Sequence, residues 1–535
     1  MFKSTVSIFL AIMMLGSSVS GGALESNQLS NGGTSYGIDS YISKIVNRKP
    51  GKKPVKTTAQ QETTTEQRTT VAPETTTEET TTVPETTTEE TTTVAETTTE
   101  AETTEAETVT EPETTIEMET TTEEETTIEM ETTTEEETTT EAEKTTEAEI
   151  TTEEEATTEA ETTTEQETEA EENEEHTEEI YRQISRYEEI AAEEAEWLWG
   201  QQMSNGAFAF YNAENGSVHI NPYFSEIVAI ALINHDNSDE AADRMKDYFK
   251  WHFSHINTEE TDYNGLAGTI YDYDVVVKNG IVVSETSKGT YDSTDSYSAL
   301  FVKALADYAK AYGDKSYLLQ HKEEIKNITN VMFATMSGGY TYAKPDYKIR
   351  YLMDNAEVYA GLTSAKYIYK NVIVDEEMYN KVSEAVAFYD EHFNEHWWKG
   401  DHYATVLNSN YSEYTGYGFS WDMLYPCASS QIFPVIYGLV DADSVYAEKV
   451  YEGFCSAWNW QDMDYISKGE TVFCWGSFSY MGALMHDEER LDSYMDKYNE
   501  IVEGGRKYPL FSSESAMVLM ASDEIIQYLQ SQITK

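Results

Sequence analysis

Beyond about residue 180 the chain alternates between two kinds of helical segment, and that alternation restricts what it can fold into. One kind is amphipathic. Residues 238–252 set Ala241, Ala242, Met245, Tyr248, Phe249 and His252 on one stripe; 378–392 do the same with Tyr379, Val382, Val386 and Tyr389, and 490–502 with Leu491, Tyr494, Met495, Tyr498 and Ile501. The other kind is apolar or small all round, over 225–234, 293–311, 355–369, 424–439, 475–485 and 514–528. A helix apolar on every side has to be buried, whereas a striped one covers a core. About twelve segments in this order predict an all-α (α/α)6 toroid, six antiparallel hairpins closed into a ring. The same parity puts the N-terminal ends of the inner helices on one rim. Two stretches interrupt the pattern. Ile270 to Val277 meets Ile281 to Ser284 across Lys278-Asn279-Gly280, the pattern of a small β-hairpin on that rim. Residues 397–421, rich in Trp, Tyr, Gly and Ser, read as a long rim loop.

The preceding third of the chain cannot join such a core. Residues 1–22 have the Lys3 charge, a Val6–Leu15 apolar run and small residues at Ser18–Gly21, the pattern of a secretory signal. The run is too short to span a bilayer, which takes ~20 residues. Residues 23–56 form a short basic leader, carrying Arg48, Lys49, Lys52, Lys53 and Lys56, with attachment to a cell wall as the alternative to a plain flexible segment. From 57 to 177 the sequence is almost only Thr and Glu. Residues 61–180 hold 43 acidic residues against Arg68 and Lys144, a net of −41 out of −64 for the whole chain. Self-repulsion and the lack of aromatics predict a disordered linker. The remaining domain, 178–535, contains all nine Trp. Its acidic balance argues against nucleic acid as a partner, and no membrane span is expected. The three cysteines, Cys427, Cys455 and Cys474, are too few and odd in number for a disulfide scaffold. No Cys/His spacing resembles a zinc site, so neither metal nor cofactor is expected.

The inner segments open alike: a polar or aromatic lead-in presents a carboxylate or indole, then the apolar run begins. Tyr223-Phe-Ser-Glu226 opens the first, Tyr291-Asp292-Ser-Thr-Asp295-Ser-Tyr297 the second and Tyr351-Leu-Met-Asp354-Asn-Ala-Glu357 the third. Weaker echoes are Trp421-Asp422…Tyr425, Phe473-Cys-Trp475 and Phe511-Ser-Ser-Glu514. These acids sit where helix N–H groups are unpaired and the dipole is positive.

These segments resemble the six-hairpin (α/α)6-toroid glycosidase superfamily, over most of 181–535. Ser225-Glu226 is similar to the Ser-Glu-Gly segment of family-8 glycoside hydrolases, which carries their general acid. Asp292-Ser-Thr-Asp295-Ser-Tyr297 is similar to that family's Ala-Thr-Asp-Gly-Asp helix start, whose acids grip the sugar. No glycine follows Glu226, and the Tyr351–Glu357 segment has no close counterpart there. The resemblance implies a secreted, monomeric glycoside hydrolase acting on a polysaccharide or oligosaccharide such as a β-glucan or α-glucan, in inverting mode. Glycoside hydrolysis needs one carboxylic acid to protonate the leaving oxygen and one carboxylate to activate water or attack.

Glu226, flanked by Tyr223, Phe224 and Ile227, is the expected general acid; Asp295 is the expected base or sugar ligand, with Asp292, Asp354 and Glu357 as further candidates. The structural alternatives are helix capping by Glu226, an N-cap role for Asp292 and an Asp354/Glu357 capping box. Tyr223, Tyr291, Tyr297, Trp398, Trp421, Tyr425 and Trp475 are candidate sugar-stacking rings, although aromatics at helical spacing belong more often to a core. The other functional classes are a non-catalytic glycan-binding module and a polysaccharide lyase or sugar epimerase. The latter pair would want a His or Arg beside the acids, where Arg350 is the nearby candidate. The acidic tether suits work at a distance from a wall or surface.

Overall fold

The inner helices are held by what surrounds them on all sides, and the contacts between them close a ring. A computed structural model describes the backbone from residue 155 and side chains over 175–534, apart from residues 214, 417, 472 and 507–509. The signal-like segment, the basic leader and the linker as far as 154 lie outside the described residues. In chain order the elements are α1 (Glu155–Gly200), β1 (Gly216–Ile220), α2 (Pro222–His235), α3 (Asp239–His255), β2 (Tyr273–Lys278), β3 (Ile281–Ser287), α4 (Thr294–Ala311), α5 (Lys315–Gln320) and α6 (Lys322–Thr335). There follow the two-residue strands β4 (Met336–Ser337), β5 (Tyr340–Thr341) and β6 (Arg350–Tyr351), then α7 (Leu352–Asn371), α8 (Glu376–Trp397) and β7 (Val406–Leu407). A π-turn over Leu424–Ala428 leads into α9 (Phe433–Ile436), and the chain ends with α10 (Val445–Ala457), α11 (Asp464–Lys468), α12 (Gly476–Leu484), α13 (Glu488–Glu503) and α14 (Ser512–Ile533).

Among the described residues α2 packs on α4, α4 on α7, α7 on α9, α9 on α12, α12 on α14, and α14 back on α2. Outside them, α1 lies on α14 and α2, α3 on α2, α6 on α4 and α7, α8 on α7 and α13 on α12. Helix α10 meets α12 through the Phe454 and Phe478 rings, 4.8 Å apart. This is the (α/α)6 toroid. The inner helices are buried on every side: in α2 the run Ile227 to Ile233 is sealed, and in α4 so is nearly everything from Thr294 to Ala309. The approach is closest between α4 and α7, where a Cβ added to Gly361 would stand 2.5 Å from the Cα of Ala299. The outer helices bury one stripe each, as α13 does with Leu491, Tyr494, Met495 and Tyr498.

Two features differ from the sequence reading. The linker boundary at 177 gives way to α1, which begins at Glu155, inside the Thr/Glu tract. Glu and Ala are good helix formers, and the helix is anchored where Ile180, Ile184, Tyr187, Ala191, Ala195 and Leu198 are buried. The expected hairpin is present, turning at Asn279 and Gly280 with φ of 53° and 75°, but it is joined by β1 into a three-stranded antiparallel sheet. The five residues of β1 carry too little alternation to announce a strand. No helix of the described residues is long and apolar enough to cross a membrane. The three cysteines are unbridged; Cys427 and Cys474 are buried.

Candidate active site

The first turns of the inner helices converge on one cleft. It encloses about 1290 Å³ of empty space, solvent at its mouth included. Asn221, Tyr223, Phe224 and Ile227 reach it from the start of α2, and Asp292, Ser293, Ser296 and Tyr297 from the start of α4. Helix α7 supplies Met353, Asp354 and Glu357; the approach to α9 supplies Tyr425, Pro426 and Ser430; α12 and α14 add Trp475, Ser477, Ser513, Glu514 and Met517.

Capping does not explain the acids. The N-cap of α2 is Asn221, whose side chain accepts the N–H of Phe224, and Ser293 and Tyr351 stand at the N-cap positions of α4 and α7 without any side-chain cap bond. Asp292 is therefore not an N-cap, and Asp354 and Glu357 form no capping box. Instead these carboxyls face the cleft. Glu357 is almost wholly buried and accepts a 2.5 Å hydrogen bond from the Tyr223 hydroxyl. Burial first, and the neighbouring Asp354 charge second, push its pKa up to about 8. Asp354, one helical turn before it, is raised well above the ordinary carboxylate range by burial and by Asp295 and Asp292, and its Oδ2 has no hydrogen-bond partner. Asp292 is raised only to about 6, because the Lys344 ammonium opposes the burial effect. Glu514 crosses from the first turn of α14 to accept the N–H of Gly476, and burial brings it to about 7.

Two expected members are elsewhere. Glu226 does not line the cleft. It is fully buried, with Oε1 3.2 Å from His252 Nε2 on the outer helix α3. Burial raises the acid and lowers the imidazole, which disfavours an ion pair inside the wall. His252 is fixed by the Phe301 ring stacked on it at 3.4 Å. The reason is helical phase: Tyr223, Phe224 and Ile227 share the arc of α2 that lines the cleft, and Glu226 falls about 100° from the middle of that arc, on the side that meets α3. Glu226 thus stands outside the cleft lining, although the Glu357 charge reaches it. Asp295 is likewise fully buried and absent from the cleft lining; it accepts the N–H of Ser296 at 2.9 Å, and burial, with the Glu357 charge, raises it to about 7 against hydrogen bonds from Thr341 and Ser296.

The aromatic candidates divide similarly. Tyr223 and Tyr297 stack at 5.9 Å on one wall, and Tyr425 and Trp475 stand 6.1 Å apart on another. Tyr297 also donates to Asp272 at 3.1 Å and accepts from Asn221. Tyr291 is instead buried against Tyr263 and Tyr271, and Trp421 packs on Gly453 and Phe419, its carbonyl accepting from Trp458. Trp398 packs edge-on to Tyr403 and Tyr446. These three are wall and loop residues, not sugar platforms of this cleft. Glu514, Tyr347 and Tyr351 are among the lining residues that sequence reasoning left out of the site. The Phe511-Ser-Ser-Glu514 echo was the signal for the first. Arg350 is taken up elsewhere: it donates to the carbonyls of Ser337 and Asn408 and stacks on Tyr342. No histidine or arginine is among the described residues lining the cleft.

No family model matches the sequence, and no curated protein matches it. Solved structures do. A protein described as a wild-type glycosidase is 11% identical, with a TM-score of 0.44 over 64% of this chain and 98% of its own. A cold-adapted family 8 xylanase in complex with substrate is 9% identical, with a TM-score of 0.42 over 63% of this chain and 90% of its own. A novel alpha-amylase from Clostridium perfringens is 11% identical, with a TM-score of 0.38 over 62% of this chain and 95% of its own. At such identities no residue is assigned by the likeness, and the reading below rests on the site itself.

Proposed function

We propose that the chain is a secreted glycoside hydrolase, acting as a monomer on an uncharged polysaccharide such as a β-glucan or α-glucan, in inverting mode. The observation that carries this is the set of three carboxyls, Asp292, Asp354 and Glu357, in one aromatic cleft with acidities drawn apart. Environments that separate the pKa values of neighbouring acids assign them opposite roles. Glu357, held near 8, keeps its proton at pH 7 and is the general acid. It protonates the glycosidic oxygen as the bond to the anomeric carbon breaks. Asp292, near 6, is ionised at pH 7 and is the general base. It takes the proton of the water that attacks the same carbon. Asp354, whose Oδ2 is without a partner, is the hydrogen-bonding contact for a sugar hydroxyl, while Tyr425 and Trp475 offer flat faces to the C–H groups. The acidic lining, without His or Arg, disfavours an anionic sugar and removes the motive for lyase or epimerase chemistry. The export signal and Thr/Glu tract would let the domain reach insoluble substrate at a distance from a wall.

The test is new reducing ends from a polysaccharide panel. Asp292→Asn and Glu357→Gln should each lower turnover by a factor of at least ~10² to 10⁴, the usual share of one acid or base. Retained turnover in both variants defeats the role assignment. Binding without new reducing ends in the parent chain identifies a glycan-binding module instead.

A further inference from the structure

Away from the cleft, the last two turns of α8 carry His392, Glu395 and His396, and each offers a donor atom within 4.8 Å of the others. Residues three and four apart share one helix face, and here the two imidazoles lie 5.4 Å apart at 23°. His392 Nδ1 is shielded from solvent and has no hydrogen-bond partner; the nearest carboxylate oxygen, Glu395 Oε2, is 3.6 Å away. His396 is held in one orientation. The Tyr411 ring lies flat on it at 3.9 Å and 2°, and the Tyr340 hydroxyl is 3.2 Å from its Nδ1. Glu391 Oε2 stands 3.9 Å from His392 Nε2, so the surroundings are acidic. The C-terminal end of a helix also favours positive charge.

We infer that His392, Glu395 and His396 form a binding site for a divalent ion of the zinc, nickel and copper group, separate from the glycan cleft. Imidazole with carboxylate is the donor set that these ions prefer over calcium or magnesium. Small side-chain rotations bring donors within 4.8 Å to the roughly 3.4 Å separation required by bonds of ~2.0–2.1 Å. Three protein ligands from one helical turn leave a position for water. The hold of Tyr340 and Tyr411 on His396 is the outer support that fixes a ligating ring. Through it the ion would tie the end of α8 to β5 and to the 398–413 loop, whose strand β7 pairs with β6 beside the cleft.

The test uses the full chain, stripped with chelator and titrated with ZnCl2 by calorimetry and with CoCl2 by visible absorption. The parent should take up one saturable equivalent and give the d–d bands of a nitrogen-ligated cobalt ion. His392→Ala and, separately, Glu395→Gln should bind at least about 100-fold more weakly, the upper end of what loss of a mere supporting group costs. Both should keep the parent's far-ultraviolet circular dichroism. The Thr/Glu tract attracts cations weakly in all three chains, so the difference between them is the readout. No saturable equivalent in the parent, or equal affinity in both variants, overturns the site.

Discussion

Removing one oxygen atom, in Tyr223→Phe, isolates the contact on which the acidity of Glu357 depends. The Tyr223 hydroxyl donates to Glu357 Oε1 at 2.5 Å in a part-buried setting on the cleft wall. A hydrogen bond to an ionised carboxylate contributes about 1.5–3 kcal/mol, against about 0.5–1.5 kcal/mol to the neutral acid. The bond therefore favours the ionised form by roughly 1–1.5 kcal/mol, which at 1.36 kcal/mol per pH unit is about one unit. The bond lowers the Glu357 pKa, while burial and Asp354 raise it to about 8. Its removal leaves only Ser296 and Tyr437 opposing the raising effects, so the pKa climbs by about one further unit. Since the proposed acid works only while protonated, the alkaline limb of kcat/KM should move up by that amount in Tyr223→Phe. Tyr271→Phe, whose hydroxyl bonds the Thr261 carbonyl outside the cleft, should leave the limb in place. A carbon-13 titration of the glutamate carboxyls gives the same quantity without turnover. An unmoved limb, or one displaced to lower pH, would refute the reasoning.

Other outcomes follow from the same geometry. The parent kcat/KM should be bell-shaped, rising with ionisation of Asp292 near 6 and falling with ionisation of Glu357 near 8; a profile flat across pH 5–9 contradicts the pairing. Asp272, Asp292, Asp295, Glu357 and Glu514 all have folded-state pKa values raised to about 6–8, above their unfolded values near 4. The folded state thus binds the extra protons, and the stability they confer is fully present below pH 4 and lost as pH rises through 6–8. At constant ionic strength these groups should make the urea midpoint lower at pH 8.5 than at pH 5.5, and lessen that difference in Glu514→Gln. Gly361→Ala should cost roughly 1–3 kcal/mol in urea unfolding despite alanine's better helix propensity, because the new methyl meets Ala299. Arg506→Met should cost about 3–5 kcal/mol, since it strands the buried Glu194, which Arg506 now holds through two 2.6 Å bonds; an effect below 1 kcal/mol would mean water reaches that carboxylate.

The toroid was legible because burial on all sides and burial on one side leave different periodicities, and the ring is the consequence of their alternation. The shared rim was legible too: Asp292, Asp354 and Glu357 reach one cleft because each opens an inner helix. What periodicity could not resolve is the phase of a first turn. Tyr223, Phe224 and Ile227 share the arc of α2 that faces the cleft, and Glu226, about 100° from the middle of that arc, meets His252 on the neighbouring outer helix instead. Asp295 is absent from the cleft lining for the same reason. The aromatics failed differently. Trp398 and Trp421 come from the long loop, whose path depends on contacts with Tyr446 and Gly453 farther along the chain. The extension of α1 to Glu155 arises from an anchor beyond the tract, which composition alone does not contain.

The most direct measurement compares two leaving groups on Glu357→Gln. With polysaccharide, the departing alkoxide needs a proton, so hydrolysis should fall by at least ~10². With a dinitrophenyl glycoside of the same sugar chain the leaving group departs unprotonated, and the variant should keep most of the parent rate. Equal loss on both substrates, or equal retention, would contradict a proton delivered from the cleft by this carboxyl.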